Sequence, residues 1–414
     1  DLAWGETPDG DATARIEAPY FGTFSLTGLE PGRTYHVRIA ALRVPPALAG
    51  EGGAATVEPA DAAVSFTTPR VQPPPRTFVV APDGNDAATG LDRANAWRTL
   101  QHAADRVRPG DTVRVAGGTY RERVRIRASG TSNAPIAFAC LPGEKVVLDG
   151  AGKRLNQCFV AVGKQHLRFD GFYFRDFNMD APRGLESSGA GEFLLHQCRD
   201  VSITRCFSDG RGGYSASPVR AFFVHDLRIE NCVNVNKFDA MYFWRCPRLR
   251  VAHTVFASPM IASFVHRNDK DQDALMEACI FTDMLAKKAA LNIALFCCDG
   301  SIDAFRMRNN AIFLRPGIPA DRRALNGTAT LAQLGAYVTD SVLADPQFAG
   351  DPAADGRPTP ADAFPPDRLL DPALPLDFHS FFATHPELTR RGIGLQPEAF
   401  RDIVFPRPDT PSGT

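Results

Sequence analysis

The chain is constrained most by a short unit that recurs through its middle. Leu167-Arg168-Phe169-Asp170-Gly171-Phe172 is followed by Val201-Ser202-Ile203-Thr204-Arg205-Cys206 and Leu227-Arg228-Ile229-Glu230-Asn231-Cys232. Leu249-Arg250-Val251-Ala252-His253-Thr254, Ala274-Leu275-Met276-Glu277-Ala278-Cys279 and a looser copy over 305–310 continue the series. In each copy apolar and polar residues alternate, a turn residue follows, and a small or apolar residue restarts the chain. Alternation with period two is the mark of a half-buried strand. The copies return at intervals of about 22 to 34 residues, the size of one solenoid coil with loop insertions. Coils that lay their inward residues over those of the coil below, about 4.8 Å away, build a parallel β-helix.

Composition agrees with a folded solenoid. Of 414 residues, 44% are hydrophobic and 22% charged, which excludes a wholly disordered chain. No apolar run approaches the roughly 20 residues of a membrane-spanning helix. Lys+Arg number 46 against 47 Asp+Glu, for a net charge of −1, and no basic tract stands out. Nucleic acid is therefore not the expected partner. The 29 Phe beside only 7 Tyr predict interior stacks of rings. Nine Cys is an odd number without zinc-type spacing. Cys206, Cys232 and Cys279 share one register of the repeat, and Cys198, Cys246 and Cys298 are expected in another. Stacking at the coil spacing holds Cβ atoms farther apart than the roughly 3.8 Å a disulfide prefers, so thiols are expected.

Four regions follow. Residues 1–69 read as short strands, with Tyr35, Val37 and Ile39 alternating against His36 and Arg38. Residues 70–76 carry Pro73, Pro74 and Pro75 in succession, a semi-rigid spacer. Residues 77–345 hold the coils, preceded by a helix over 97–107 in which Trp97, Leu100, Ala103, Ala104 and Val107 fall at helical spacing. Residues 346–414 are a loop-rich extension expected to pack on the coils, ending in a tail. The start at Asp1, with no Met and no leader, is expected of a processed chain or a portion of a longer one.

Two resemblances attach to these residues. The run Leu26-Thr27-Gly28-Leu29-Glu30-Pro31-Gly32-Arg33-Thr34-Tyr35-His36-Val37-Arg38, with the closing Phe66-Thr67-Thr68-Pro69, resembles the second half of a fibronectin type III domain. Residues 77–150 resemble the opening segment of right-handed parallel β-helix proteins of the pectate-lyase-like superfamily. The residues that carry this likeness include Pro82-Asp83-Gly84-Asn85-Asp86, Trp97-Arg98-Thr99-Leu100, Pro109-Gly110-Asp111-Thr112-Val113, Gly118-Thr119-Tyr120 and Leu148-Asp149-Gly150. The fold implied is all-β: a right-handed parallel β-helix with an N-terminal capping helix, preceded by a fibronectin-like sandwich. The resemblance also implies an extracellular or cell-surface protein that handles polysaccharides, often acidic ones and often with Ca²⁺, along the first parallel sheet. The main expectation is a lyase acting on a uronic-acid-containing glycan by β-elimination. The alternative is a non-catalytic glycan-binding or structural protein that could self-associate or carry further domains.

First-sheet strands are expected at 193–196, 219–222, 241–244, 262–266 and 292–296. That register predicts an exposed row of His196, Phe222, Trp244, His266 and Phe296. Rings in such a row stack on sugar faces. β-Elimination needs a base for the proton next to a carboxylate and a cation to hold that carboxylate. Candidate bases are Tyr242, His266, His196 and Lys237. Arg220, Arg245 and Arg267 are candidate carboxylate partners, because a guanidinium grips a carboxylate with two hydrogen bonds. Asp209 and Asp239 precede first-sheet strands on neighbouring coils and are the candidate Ca²⁺ ligands.

Overall fold

A computed structural model describes residues 2–5, 12–14, 26, 29–39, 42–43, 56–57, 63–68, 74–150, 155–177, 190–211, 217–237, 240–257, 262–267, 273–282, 294–299, 305–313, 323–325, 329–330, 338–344, 346–348 and 378–403. The chain forms two compact units, Asp1–Pro74 and Pro75–Thr414. In the first unit, Ala12–Ala14, Leu2–Gly5, Thr34–Ile39 and Ala63–Thr67 form an antiparallel sheet in that order. Leu42–Arg43 pairs separately with Thr56–Val57. The Tyr35 hydroxyl accepts a hydrogen bond from the Glu30 N–H (2.9 Å) across the Pro31-Gly32 turn.

The second unit is built from three sheets whose coil-to-coil pairing is parallel. The first sheet runs through Val124–Arg125, Gln157–Val162, Gly191–His196, Ser217–Phe222, Tyr242–Trp244, Ala262–Arg267 and Ala294–Asp299. The second carries the recurring unit, in Ile136–Cys140, Gln165–Asp170, Arg199–Thr204, His225–Glu230, Arg250–Ala252, Ala274–Glu277 and Phe305–Arg308. The third follows at once on each coil, as Val146–Asp149, Tyr173–Arg175, Phe207–Asp209, Val233–Val235, Val255–Ala257, Ile280–Thr282 and Ala311–Phe313. Inward residues of all three make one core. Phe159 stacks on Phe193 at 5.4 Å and Phe256 on Phe281 at 4.8 Å. These distances are close to the strand spacing, so the parallel register sets the ring ladders.

The corner between the second and third sheets explains the cysteines. One residue there is left-handed on coil after coil: Gly171 (φ 88°), Arg205 (50°), Asn231 (54°), His253 (49°), Ala278 (53°) and Asn309 (53°). A left-handed non-glycine residue is strained, and neighbouring interactions must hold it. The next side chain supplies one of them. The Cys206 N–H donates to Cys232 Sγ (3.4 Å) and the Cys232 N–H to Thr254 Oγ1 (3.4 Å). Farther along, the Cys279 N–H donates to Asn310 Oδ1 (2.8 Å) and the Asn310 N–H to Ser341 Oγ (3.1 Å). Cys, Thr, Asn and Ser are therefore alternatives at one position, each accepting from the coil before it. Cys140, Cys158, Cys198, Cys206, Cys232, Cys246 and Cys279 are free thiols. Burial pushes Cys198 up to about 11 and Cys246 and Cys279 up to about 12, so they stay protonated. Cys198 and Cys246 follow the corner out of the first sheet, and each donates to a carbonyl of the coil before it. Cys298 does not share that place: it lies within a first-sheet strand, paired with His266.

The expected helix over 97–107 is only Leu100–Ala104. Trp97 instead bridges to Val80 in a β-bridge. Asp86 accepts from the N–H groups of Arg98 and Thr99, and Glu122 from those of Leu100 and Gln101. With Thr99 as N-cap, these carboxylates satisfy the first amides and fix the start. Leu100, Ala103 and Ala104 are buried in the β-helix core. At the other end of the chain, Phe378, Phe381, Leu388, Ile393, Leu395 and Phe400 cover the third sheet's outer residues Tyr173, Phe207, Val233, Val255 and Ile280.

Candidate functional site: the outer face of the first sheet

Leu194, Arg220, Tyr242 and Val265 share one outward register row of the first sheet, and His196, Phe222, Trp244 and Arg267 share the next. The predicted row thus holds over its first three members. At the fourth strand it slips by one residue: Trp244 pairs with Arg267, whereas His266 pairs with the fully buried Phe243. Phe296 pairs with Phe264, and the row after Arg267 continues to Asp299. His266 and Phe296 therefore leave the predicted row, and Arg267 enters it. Alternation in Ala262–Arg267 fits either register, so apolar spacing did not decide between them.

The described part of this face is an aromatic and basic cluster. Arg220 Cζ lies 4.4 Å from the centroid of the Tyr242 ring. Tyr242 lies 5.6 Å from Phe222, and Phe222 6.3 Å from Trp244. Phe223, left-handed at the corner (φ 56°), stacks on Trp244 at 6.1 Å and meets His196 edge-on at 5.8 Å. Arg245, left-handed one coil later (φ 52°), reaches Phe223 at 5.9 Å. Exposure is graded: Phe222 is 8% exposed, Tyr242 9% and Trp244 37%. Burial holds the His196 imidazole below its ordinary range, so it is neutral near neutral pH. Phe223 was not anticipated from the sequence. A phenylalanine gives no sign that it will occupy a left-handed corner.

Two other candidates sit elsewhere. Lys237 follows the corner out of the third sheet, fully buried, with its ammonium on Glu192; Ser208 donates to the other Glu192 oxygen. A lysine so enclosed does not present a base on the first sheet's outer face. Asp209 ends a third-sheet strand, where Arg211 grips both carboxylate oxygens (2.9 and 2.7 Å) and the Tyr173 hydroxyl donates at 3.3 Å. Burial alone would raise this carboxyl, but Arg211 outweighs it and holds it below the usual carboxylate range. Its oxygens are committed, and Asp239 lies outside the described residues. Among the described residues no three His, Cys, Asp or Glu side chains converge as metal ligands.

Comparison with known proteins bears on the coils. The Chondroitinase B family matches residues 94–183. The uncharacterized protein YwoF of Bacillus subtilis is 27% identical over 128 residues, covering 30% of this chain and 26% of that protein. Pectate lyase PEL9 of Emericella nidulans is 38% identical over 73 residues, covering 17% of this chain and 18% of the lyase. The family match falls within the parallel β-helix unit. Pectate lyase Pel9A, a solved structure, aligns with 58% of this chain and 68% of its own at 13% identity and a TM-score of 0.38. The chain spans about a quarter or less of the two curated relatives' length. No helix among the described residues is long and apolar enough to cross a membrane.

Proposed function

We propose that the first sheet's outer face is the working surface of an exported, extracellular or cell-surface enzyme. Its reaction is β-elimination on a uronic-acid-containing polysaccharide. The observation that carries this reading is a guanidinium and a phenol side by side: Arg220 lies over Tyr242, with the Phe222 and Trp244 rings adjoining. Arg220 binds the uronate carboxylate and offsets the charge that builds on it. The Tyr242 oxygen, as phenolate, removes the proton from the carbon bearing that carboxylate. The electron pair forms a carbon–carbon double bond and expels the glycosidic oxygen from the adjacent carbon. The phenol returns its proton to that oxygen, so atoms and charge balance. Trp244 and Phe223 stack on sugar rings, neutral His196 accepts a hydroxyl hydrogen bond, and Arg245 extends the cationic lining. The likeness to chondroitinase B and to pectate lyases supports a polysaccharide substrate.

One observation favours a second reading, a non-catalytic glycan-binding or surface-structural protein. Tyr242 and Phe222 are more than nine-tenths buried, as in an inert aromatic cluster, and among the described rings of this face only Trp244 is exposed. We also read the N-terminal unit as fibronectin type III-like. The Tyr35 hydroxyl on the Glu30 N–H supports this, since β-sandwiches use such a tyrosine corner. The deciding experiment incubates the protein with uronic-acid polysaccharides and follows the ultraviolet absorbance of the unsaturated product. Absorbance that disappears in Tyr242→Phe supports the lyase. Binding by the wild-type protein without any product supports the second reading.

A further inference from the structure

The outward rows of the first sheet continue toward its N-terminal end. Arg125 pairs with Val160, Val160 with Leu194 and Leu194 with Arg220, so Arg125 lies three strands before Arg220 in the same row. Three strand spacings are about 14 Å. At that end Arg125, Ile126, Arg127, Val162 and Lys164 line a cavity of about 190 Å³. Three of its five lining residues are cationic, and Val162 is an exposed apolar residue among them. The Asp105 carboxylate lies 3.4 Å from Arg127 Nε. Both partners of that pair are about half exposed, so the contact is weak and open to exchange. The cavity is smaller than the roughly 300 Å³ at which whole-ligand pockets begin. Its size suits one charged substituent with part of a sugar ring.

We propose that this cavity is a second, separate anion site, which takes one carboxylate or sulfate group of a glycan chain lying along the first sheet. Arg125, Arg127 and Lys164 hold the anionic oxygens and Val162 meets an apolar ring face. The site rests on the first sheet being a glycan-binding face, and not on the elimination chemistry. Because it lies strands away from Arg220, a glycan must be long to engage both. The protein then favours long anionic chains over short ones.

The test measures wild-type binding to a soluble polyuronate, a sulfated polysaccharide and uncharged dextran, each as long chains and as short oligosaccharides. The Arg127→Ala/Lys164→Ala variant is compared, with its thermal unfolding recorded. The variant should bind one anionic polymer at least about tenfold more weakly, the worth of one charge-assisted hydrogen bond, and with a shallower salt dependence. Which polymer responds identifies carboxylate or sulfate. Short oligosaccharides should lose little, since they cannot span both sites. A variant that binds every polymer as the wild type does overturns the site, and so does a wild type that binds dextran equally or neither anionic polymer. Should the variant unfold early, the charge-only change Lys164→Gln is measured against the same outcomes. Loss of anion binding in the variant, with no unsaturated product from the wild type, would sink the lyase and leave this site standing.

Discussion

The first and third sheets both line their outer faces with rings, yet only one reads as a site. On the third sheet Tyr173 stacks on Phe207 at 4.6 Å and an angle of 7°. Phe378 and Phe381 then close over Phe207 at 5.5 and 5.8 Å, and the cluster is sealed. On the first sheet the rings are looser, and Arg220, His196 and Arg245 are set among them. A ladder of aromatic side chains is what parallel register produces wherever Phe or Tyr recurs. It becomes a candidate site only where polar groups interrupt it and some ring stays open. The C-terminal segment, expected to pack on the coils, in its described part seals the third sheet.

The comparison can be broken by removing a ring or a charge from each region. Phe207→Ala should destabilise the protein most, by about 3–5 kcal/mol, because it empties a sealed cluster. Chemical denaturation would read this, and any activity should survive per folded molecule. Lys237→Met should cost a similar amount, about 3–5 kcal/mol, because Glu192 is left buried without its cation. A Lys237→Met protein as stable as wild type would return Lys237 to the list of reactive groups. Tyr242→Phe keeps the ring and should hardly move stability, while product formation falls by at least about a hundredfold. Trp244→Ala should weaken glycan binding by about 1 kcal/mol, the order of a ring contact, with little change in unfolding. The smallest effect concerns pH. Folding lowers the His196 pKa by burial, so its contribution to stability is present above the ordinary histidine value. That contribution is lost as pH falls through the folded value. His196→Phe should flatten this acid-side decline in melting temperature, and an unchanged pH profile would show that the imidazole is not the group responsible.

Much of the fold was legible because the recurring unit spans a second-sheet strand, its corner and the third-sheet strand that follows. Loops do not interrupt that stretch, so Leu227-Arg228-Ile229-Glu230-Asn231-Cys232 can be laid over its neighbours residue by residue. First-sheet strands each follow a loop of variable length. Their register is set by where the loop delivers the chain, which alternation does not encode. Hence Phe222 and Trp244 were placed in their row while His266 stood one residue from the true member, Arg267. The basic end was legible in Arg121-Glu122-Arg123-Val124-Arg125-Ile126-Arg127, where buried Val124 and Ile126 turn Arg125 and Arg127 outward. It was overlooked because net charge averages such local alternation away. Lys237 was misread for a different reason. Nothing near it in the chain announces Glu192, its partner 45 positions earlier.

The acceptor at the corner after the second sheet has a consequence for how such a chain can grow or shrink. Each coil completes the one before it, so a coil behaves as an interchangeable part with a plug on one side and a socket on the other. Duplicating Cys232 with its coil, or excising the coil that carries Thr254, leaves no loose end provided the new neighbour brings Cys, Ser, Thr or Asn to that spot. Loop lengths between coils are free to vary meanwhile. The fold can thus be lengthened at modest risk, and any cleft along its first sheet lengthened with it.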